Sequence, residues 1–322
     1  MKGTFFIALI VIFSMLVIPL SSFSKGKNTA LPTAKPQNNI AYENKNQNIG
    51  FETIRVLKGG SVLEVSTKDY IFGVVAAEMP ALYENEALKA QAVAAYTFAC
   101  YRLQNNANSE YDIAADGETA QCFITREEAS TRWGDKTDEY TKKIDSCITA
   151  VKDQWLSYDG TPIFAAYHAI SGGTTNACAD VWGKDLPYLN EVESLGDQLA
   201  NGFLSEAAFT TDELCEKLKD IAFPTGEPQD YFTDINTTES GYVKSVTYCG
   251  KQTTGSAICK AMGLRSSNFK ISFADGNFTF TVEGYGHGVG MSQTGANYMA
   301  EQGSSYKEIL LHYYNGATLE NN

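Results

Sequence analysis

The chain is poor in basic residues. Its 322 residues include 25 lysines and arginines against 38 aspartates and glutamates, which gives a formal net charge of −13 at pH 7. No basic stripe is present that would replace the counterions of a phosphate backbone, so the sequence argues against a nucleic-acid partner. The same acidic balance disfavours direct adhesion of the folded part to anionic lipid headgroups.

Metal-binding and disulfide patterns are also scarce. The chain has 3 histidines, and none of its 7 cysteines is arranged as Cys-x-x-Cys. His287 and His312 would still need a third ligand, so the sequence predicts no metal site and no cofactor. An odd number of cysteines leaves at least one thiol free. Cys249 and Cys259 are a candidate pair, while other cysteines are suited to small buried positions.

A nucleotide-binding loop and a peptidase nucleophile are missing as well. Positions 284, 286, 288 and 290 are glycines, but no Lys-Ser/Thr pair follows them as in a phosphate loop. We expect a tight loop that lets the backbone approach a sugar or another strand. His287, inside this loop, is either a packing residue or a cleft ligand. Cys178 with His168 or His287 would supply the residue types of a cysteine peptidase, but nothing around Cys178 resembles a nucleophile motif.

A long uncharged segment lies near the N-terminus. Residues 4–23 are mostly Phe, Ile, Leu, Val and Met, and this length matches the roughly 20 residues that span a bilayer as a helix. We predict a transmembrane anchor over residues 1–23, with a cleaved signal peptide as the alternative. Residues 24–48, rich in Asn, Lys, Pro, Ser and Ala, are predicted to form a flexible linker. Residues 49–322 then form an extracytoplasmic domain.

Strands and helices are mixed in this predicted domain. The pattern has neither an internal repeat nor a βαβ rhythm, so we predict an α+β fold of mixed sheets with packed helices around a cleft. The predicted helices cover residues 66–78, 84–103, 127–151 (with a break near Trp133), 205–221, 255–263, 292–301 and 306–314. The predicted strands cover residues 54–57, 61–65, 154–158, 162–168, 241–248, 269–273 and 278–282.

One carboxyl group occupies an unusual place in the first predicted helix. Ser66 followed by Asp69, ahead of an apolar run, is typical of a capped helix start. Pro80 ends the helix, which puts Glu78 in its final turn. Burial and the negative helix end both favour the protonated carboxyl that a general acid needs. The alternative is a helix-end Glu that faces solvent or pairs with a lysine. The residues that share this helical face are Ile71, Val74, Val75 and Glu78.

Cleavage of a glycosidic bond usually requires a second carboxylate. Glu84 and Glu86 follow Glu78 closely, but they stand beyond Pro80 at the start of a new helix, where acidic residues are common. Asp180 is the next candidate. A single protonated carboxyl is enough if a hydroxyl of the sugar itself attacks C1 and gives an anhydro product. The residues alone leave both schemes open.

Several stretches of the chain together resemble one protein family. They occur in the same order as in that family, from about Arg55 to the C-terminus, so the resemblance is specific. The stretches are 69–80 (DYIFGVVAAEMP), 86–95 (EALKAQAVAA), 171–173 (SGG), 180–183 (DVWG), 286–293 (GHGVGMSQ) and 295–297 (GAN). Together they resemble the stage II sporulation protein D family and its relatives, the amidase enhancer proteins.

This resemblance implies a lytic transglycosylase that cleaves peptidoglycan during engulfment of the forespore in sporulation. It implies that Glu78 is the acid/base of a catalytic cleft and that the substrate is denuded glycan strands, whose stem peptides have been removed. The implied partners are stage II sporulation proteins P and M. The implied location is the mother-cell membrane, with the domain facing the septal wall. A non-catalytic peptidoglycan-binding enhancer of a cell-wall amidase is the alternative.

Two positions depart from the pattern of the family. Tyr96-Thr97-Phe98 replaces the usual Arg-Thr-Tyr, so a cationic contact to substrate is lost or is supplied by Lys89 or Arg102. Some relatives bind zinc through a Cys and a His, but the segment 116–123 offers Cys122 and no histidine, and we predict no metal there. The residues expected to line the substrate cleft are Lys89, Tyr167, Ser171, Gly172, His287 and Gln293.

Overall fold

The structure describes most of the predicted extracytoplasmic domain. The computed structural model describes residues 49–105, 110–117 and 120–321. The predicted anchor (1–23) and linker (24–48) lie outside these residues. Within the described ranges, no helix has both the length and the apolar character needed to cross a membrane.

Helices and strands alternate irregularly along the described chain, which confirms the α+β class. The α-helices are Thr67–Glu78 (α1), Asn85–Asn105 (α2), Arg126–Trp133 (α3), Thr137–Ala150 (α4), Cys178–Trp182 (α5), Thr211–Leu218 (α6), Gly255–Met262 (α7), Gln293–Glu301 (α8) and Tyr306–Tyr313 (α9). The strands are Thr53–Lys58 (β1), Ser61–Ser66 (β2), Ile113–Ala114 (β3), Gln154–Tyr158 (β4), Thr161–Pro162 (β5), Tyr167–His168 (β6), Leu204–Thr210 (β7), Phe232–Thr237 (β8), Val243–Tyr248 (β9), Lys251–Thr253 (β10), Phe269–Ala274 (β11), Asn277–Glu283 (β12), Met291–Ser292 (β13) and Thr318–Asn321 (β14).

The strands of the described residues form small separate sheets. The β1–β2 hairpin carries β3 parallel to β1, and β4 lies between β14 and β5 in antiparallel order. The β11–β12 hairpin pairs with β7, and β8, β9 and β10 form an antiparallel meander. The short strands β6 and β13 pair in parallel.

Helix α2 is the centre of the first hydrophobic core. It packs against α1, α4, α8, α9 and β4, as expected for a helix whose small side chains allow close approach. Its alanines at positions 87, 90, 94, 95 and 99 have no exposed surface. The predicted core helix over residues 84–103 is therefore confirmed.

A second hydrophobic core lies between the helices α6 and α7 and the sheet that contains the paired strands β7 and β12. Leu214, Ile258 and Phe280 are fully buried in it. Here the predicted helix over residues 205–221 is wrong in its first part, because Leu204–Thr210 is the strand β7. This strand pairs with β12 along its whole length, and such tertiary pairing overrides the helix preference of residues like alanine and glutamate.

The segment after β4 also differs from the prediction. Only Thr161–Pro162 pairs with β4, so the predicted strand over residues 162–168 is interrupted. Tyr167 and His168 pair instead with Met291 and Ser292. This pairing brings residue 167 beside the start of α8 although the two segments are distant in sequence.

Candidate active site

Glu78 is the last residue of α1. The helix begins after Ser66, whose Oγ accepts the backbone N–H of Asp69 at 3.1 Å. It ends where Met79 takes an extended conformation (φ −116°, ψ 143°), as expected for the residue before Pro80. The predicted cap, helix and final-turn position of Glu78 are all confirmed.

Two residues from distant parts of the chain donate hydrogen bonds to the Glu78 carboxyl. The backbone N–H of Cys122 donates to Oε1 at 2.7 Å, and the side-chain amide of Gln293 donates to Oε2 at 3.4 Å. Burial raises the pKa of Glu78, while these donors and the Cys122 thiol act in the opposite direction. Burial is the largest of these effects, so the pKa of Glu78 is raised above that of an exposed glutamate, which is the direction that a general acid requires.

A close approach between α1 and the segment 121–124 makes this contact with Cys122 possible. The N–H of Ile124 donates to the carbonyl oxygen of Gly73 at 3.2 Å. A Cβ atom on Gly73 would lie 2.3 Å from the Ile124 oxygen and 2.4 Å from the Phe123 ring. Only a glycine allows the two backbones to lie this close together.

Gln121 fixes the position of the same segment. Its side-chain amide donates to the Tyr70 hydroxyl at 2.8 Å and to the Ala95 carbonyl at 3.2 Å. Its Oε1 accepts the Tyr167 hydroxyl at 2.7 Å. Burial raises the pKa of both tyrosines, so both hydroxyls remain neutral. Gln121 and Cys122 were not predicted as site residues, because only their position beside Glu78 reveals the role.

Gln293 is held at the start of α8 by a buried carboxyl group. The hydroxyl of Ser292 caps this helix by accepting the N–H of Gly295 at 3.2 Å and donates to Asp197 at 2.7 Å. Asp197 is fully buried and also accepts the N–H of Ser171 at 3.0 Å and its hydroxyl at 2.5 Å. Burial raises the pKa of Asp197. No motif in the sequence indicated Asp197, which positions Gln293 through the neighbouring Ser292.

A second glutamine lies behind Gln293. Gln91 of α2 is fully buried, and its Oε1 accepts the Gln293 amide at 3.4 Å. Its own Nε2 is buried and has no hydrogen-bond partner among the described residues. Gln91 lies in a stretch that carries the family resemblance, although it was not predicted as a site residue.

The glycine-rich loop packs His287 against the strand that carries Tyr167. The Nδ1 of His287 accepts the N–H of Val289 at 3.0 Å, and the ring also bonds to the backbone of Tyr167. Burial lowers the pKa of His287 to about 3, so the ring is neutral. Gly290 (φ +73°) lies so close to Ala166 that a Cβ would be 2.0 Å from its carbonyl oxygen. The loop therefore brings the backbone close to another strand, as predicted.

The other expected cleft residues lie in different surroundings. Ser171 is fully buried on Asp197, and the N–H of Gly172 donates to the Tyr242 hydroxyl at 3.0 Å. Lys89 donates to Glu86 at 2.5 Å. The structure thus brings Gln293 to Glu78 directly and Tyr167 through Gln121, with His287 behind Tyr167. It does not place Ser171, Gly172 or Lys89 in contact with Glu78, and their expected role stays a prediction.

The structure also shows the surroundings of the other candidate catalytic residues, which are a second carboxylate and a cysteine nucleophile. Asp180 is paired with Lys244 at 2.6 Å, not with Glu78. The charge of Asp116 raises the pKa of the Cys122 thiol, so this carboxyl lies near the residue that donates to Glu78. Cys178 is 1% exposed and burial raises its pKa to about 11, which argues against a thiolate nucleophile.

Cys249, Cys259 and Arg102 lie away from the hydrogen bonds that hold Glu78. Cys249 and Cys259 are free thiols, and that of Cys259 donates to the Leu264 carbonyl. The Nε of Arg102 is buried without a hydrogen-bond partner in the described part of the chain. Within residues 49–105, 110–117 and 120–321, no group of three or more His, Cys, Asp or Glu side chains is arranged to hold a metal ion.

Fold and site together define an α+β protein with one partly buried carboxylic acid at a helix end, suited to general acid–base chemistry. A family model described as Stage II sporulation protein matches residues 58–158. The chain is 35% identical to stage II sporulation protein D of Bacillus amyloliquefaciens over 264 residues, which cover 80% of this chain and 75% of that protein. It is 32% identical to stage II sporulation protein D of Bacillus subtilis (strain 168) over 269 residues, covering 80% and 76%.

The chain is also 28% identical to a Bacillus subtilis (strain 168) protein named amidase enhancer, over 77% of this chain and 40% of that protein. The two matches to stage II sporulation protein D cover about three quarters of those relatives. The chain therefore belongs to the stage II sporulation protein D family, as the sequence motifs indicated.

Proposed function

We propose that the chain is a lytic transglycosylase that cleaves denuded glycan strands of peptidoglycan during forespore engulfment. The environment of the Glu78 carboxyl supports this most directly. Burial raises its pKa, and Cys122 and Gln293 each donate a hydrogen bond to one of its two oxygens. The side chains of Gln121 and Tyr167 extend the polar wall beside it. Membership of the family supplies the sporulation context.

In the proposed reaction, Glu78 acts first as an acid and then as a base. It donates its proton to the glycosidic oxygen as the C1–O bond breaks. The resulting carboxylate accepts the proton of the muramic 6-hydroxyl as that oxygen bonds to C1. The product carries a 1,6-anhydro end, no water is consumed, and the acid is restored. Burial favours the starting acid, and the Cys122 N–H and the Gln293 amide stabilise the carboxylate that exists midway.

We extend the proposal to location and partners. Residues 1–23 would anchor the protein in the mother-cell membrane, and residues 24–48 would let the domain 49–322 reach the septal wall. Stage II sporulation protein P would remove stem peptides and so supply the denuded strands. Stage II sporulation protein M would hold the complex at the membrane.

The reaction is tested by incubating the full chain in detergent with denuded glycan strands and analysing the products by mass spectrometry. We expect ends that are lighter by one water than those of hydrolysis. Glu78→Gln should abolish them, because the amide keeps the shape but has no acidic proton. Glu84→Gln, which changes an exposed carboxyl six residues away, is the matched control and should retain activity. If Glu78→Gln released as much anhydro product as the wild-type chain, the proposed acid/base role of Glu78 would be refuted.

Two other outcomes would identify a different function. Reducing ends would indicate a hydrolase, for which Asp116, whose charge acts on the Cys122 thiol, is a candidate second carboxylate. Binding of strands without any cleavage, together with faster amidase turnover, would indicate a non-catalytic enhancer. The relative named amidase enhancer is the observation that favours this second candidate.

A further inference from the structure

One aromatic side chain lies open on the surface although the fold holds it in place. Trp182 is 39% exposed, whereas Trp155 is 6% exposed. It ends α5, which the buried Cys178 ties down through a hydrogen bond from its N–H to the Leu189 carbonyl at 3.0 Å. Gly183 (φ +67°) closes the helix. A single exposed apolar residue is ordinary, so the surroundings of Trp182 decide whether it forms a site.

Two other rings support the indole of Trp182. The His287 ring lies 4.9 Å away at 58°, and the Phe164 ring lies 5.6 Å away in an edge-on arrangement at 77°. Phe164 is itself packed between Phe98 and Tyr101, each at 5.4 Å. The indole is therefore held in one orientation before any ligand arrives, which reduces the entropy lost on binding.

A short series of contacts connects this aromatic surface with the catalytic carboxyl. His287 bonds to the backbone of Tyr167, and the Tyr167 hydroxyl donates to Gln121 at 2.7 Å. The next residue, Cys122, donates to Glu78. Trp182 makes no contact of its own with Glu78. Trp182 is therefore connected to Glu78 through these intervening residues and lies away from the point of bond cleavage.

The chemistry of this surface suits an uncharged ring with C–H groups on its face. Burial lowers the pKa of His287 to about 3 and that of His168 to about 4, so neither imidazole adds a charge near neutral pH. The face of an aromatic ring carries partial negative charge. The C–H groups on one face of a pyranose carry partial positive charge and are apolar enough to stack on it.

We propose that Trp182, supported by His287 and Phe164, is a stacking subsite for a pyranose ring of the glycan strand, remote from the bond that is cleaved. The inference rests on the proposed function, because it takes the glycan strand as the ligand. It adds that the strand runs from Glu78 past Tyr167 and His287 to Trp182. Strands long enough to reach Trp182 are then bound better than short fragments.

The subsite is tested by measuring the affinity of denuded glycan fragments of increasing length for the full chain carrying Glu78→Gln, which keeps the fragments intact. Adding Trp182→Ala should weaken binding of long fragments roughly 3- to 10-fold, the usual range for loss of one aromatic stacking contact, and should leave the shortest fragments unaffected. Trp182→Phe should lose less, because a ring face remains. Phe223→Ala removes another strongly exposed aromatic residue and should change nothing.

The outcomes separate this inference from the proposed reaction. Unchanged affinity of Trp182→Ala for long fragments, an equal loss at every length, or no glycan binding by the Glu78→Gln chain would overturn the subsite. If the wild-type chain released no anhydro product but Trp182 still governed the affinity for long fragments, the reaction would be refuted and the subsite would stand. Circular dichroism of Trp182→Ala checks that the fold is kept.

Discussion

Replacing Gly73 by alanine tests whether the close contact between α1 and the segment 121–124 positions the candidate active site. The new Cβ would lie 2.3 Å from the carbonyl oxygen of Ile124 and 2.4 Å from the Phe123 ring. One of these atoms belongs to the backbone and has no rotamer that would relieve the contact. Since ordinary contacts begin near 3.4 Å, the segment must move by about 1 Å relative to α1.

Two effects of Gly73→Ala on stability oppose each other. Alanine is favoured over glycine inside a helix by about 1 kcal/mol. Overpacking a well-packed interior costs about 1–3 kcal/mol, and the hydrogen bond from Ile124 to Gly73 would be strained in addition. We expect a net loss of about 1–2 kcal/mol, which corresponds to a decrease in Tm of a few degrees.

The effect of Gly73→Ala on activity should be larger than its effect on stability. The displaced segment includes Cys122, whose N–H holds Glu78 at 2.7 Å. A misplacement of about 1 Å can lower a catalytic rate on the order of 100-fold. The assay is the release of anhydro ends from denuded strands, with Tm measured on the same samples.

A control with a similar loss of stability separates the two effects of Gly73→Ala. Ala99→Gly removes a buried methyl group from α2 and weakens that helix without adding volume near Cys122. It should lower Tm and keep the rate close to wild type. If Gly73→Ala has wild-type activity, or loses no more activity than Ala99→Gly, the close approach does not position the carboxyl.

Two further predictions concern buried carboxyl groups. Burial raises the pKa of Glu78 in the folded chain, so the free energy of folding is less favourable once the pH rises through that pKa, and the general-acid step slows over the same range. Glu78→Gln should therefore match the wild-type Tm in acid and exceed it at higher pH in thermal melts; a Tm difference that is constant with pH would contradict the raised pKa. Asp197→Asn replaces an oxygen that accepts hydroxyl and N–H donors by an amide group, so it should destabilise the fold by about 1–3 kcal/mol and lower the cleavage rate by loosening Gln293. The exposed Asp185→Asn is its control, and an unchanged rate for Asp197→Asn would show that Gln293 does not depend on this carboxyl.

Local signals in the sequence predicted α1 and α2 well. They did not predict the strand β7, which depends on pairing with a distant segment. The cap at Ser66 and the stop before Pro80 act within a few residues, so they can be recognised without knowing the fold. The strand Leu204–Thr210 could not be recognised in this way, because its partner β12 lies some seventy residues further along the chain. Its alanines and glutamate favour a helix until that partner is present.

The same distinction applies to the candidate active site. The position of Glu78 at a helix end follows from local spacing, and Gln293 follows from the family motif. The roles of Gln121, Cys122 and Asp197 could not be predicted from such a pattern, since they arise only from the packing of α1 and of the segments that precede α8. Ser171 is the opposite case. It belongs to a family motif and was expected in the cleft, but it is fully buried and its hydroxyl donates to Asp197.

The surroundings of Glu78 suit a group that must serve as both acid and base. A carboxyl in a purely apolar site would hold its proton too firmly to form the carboxylate midway through the reaction. A carboxyl paired with a cation would be ionised from the start and could not protonate the leaving oxygen. Here burial raises the pKa, and the neutral Cys122 N–H and Gln293 amide moderate that rise without a full positive charge. Burial and neutral donors thus act on the pKa of Glu78 in opposite directions, which is the combination that a mechanism with a single carboxyl acting as acid and base would use.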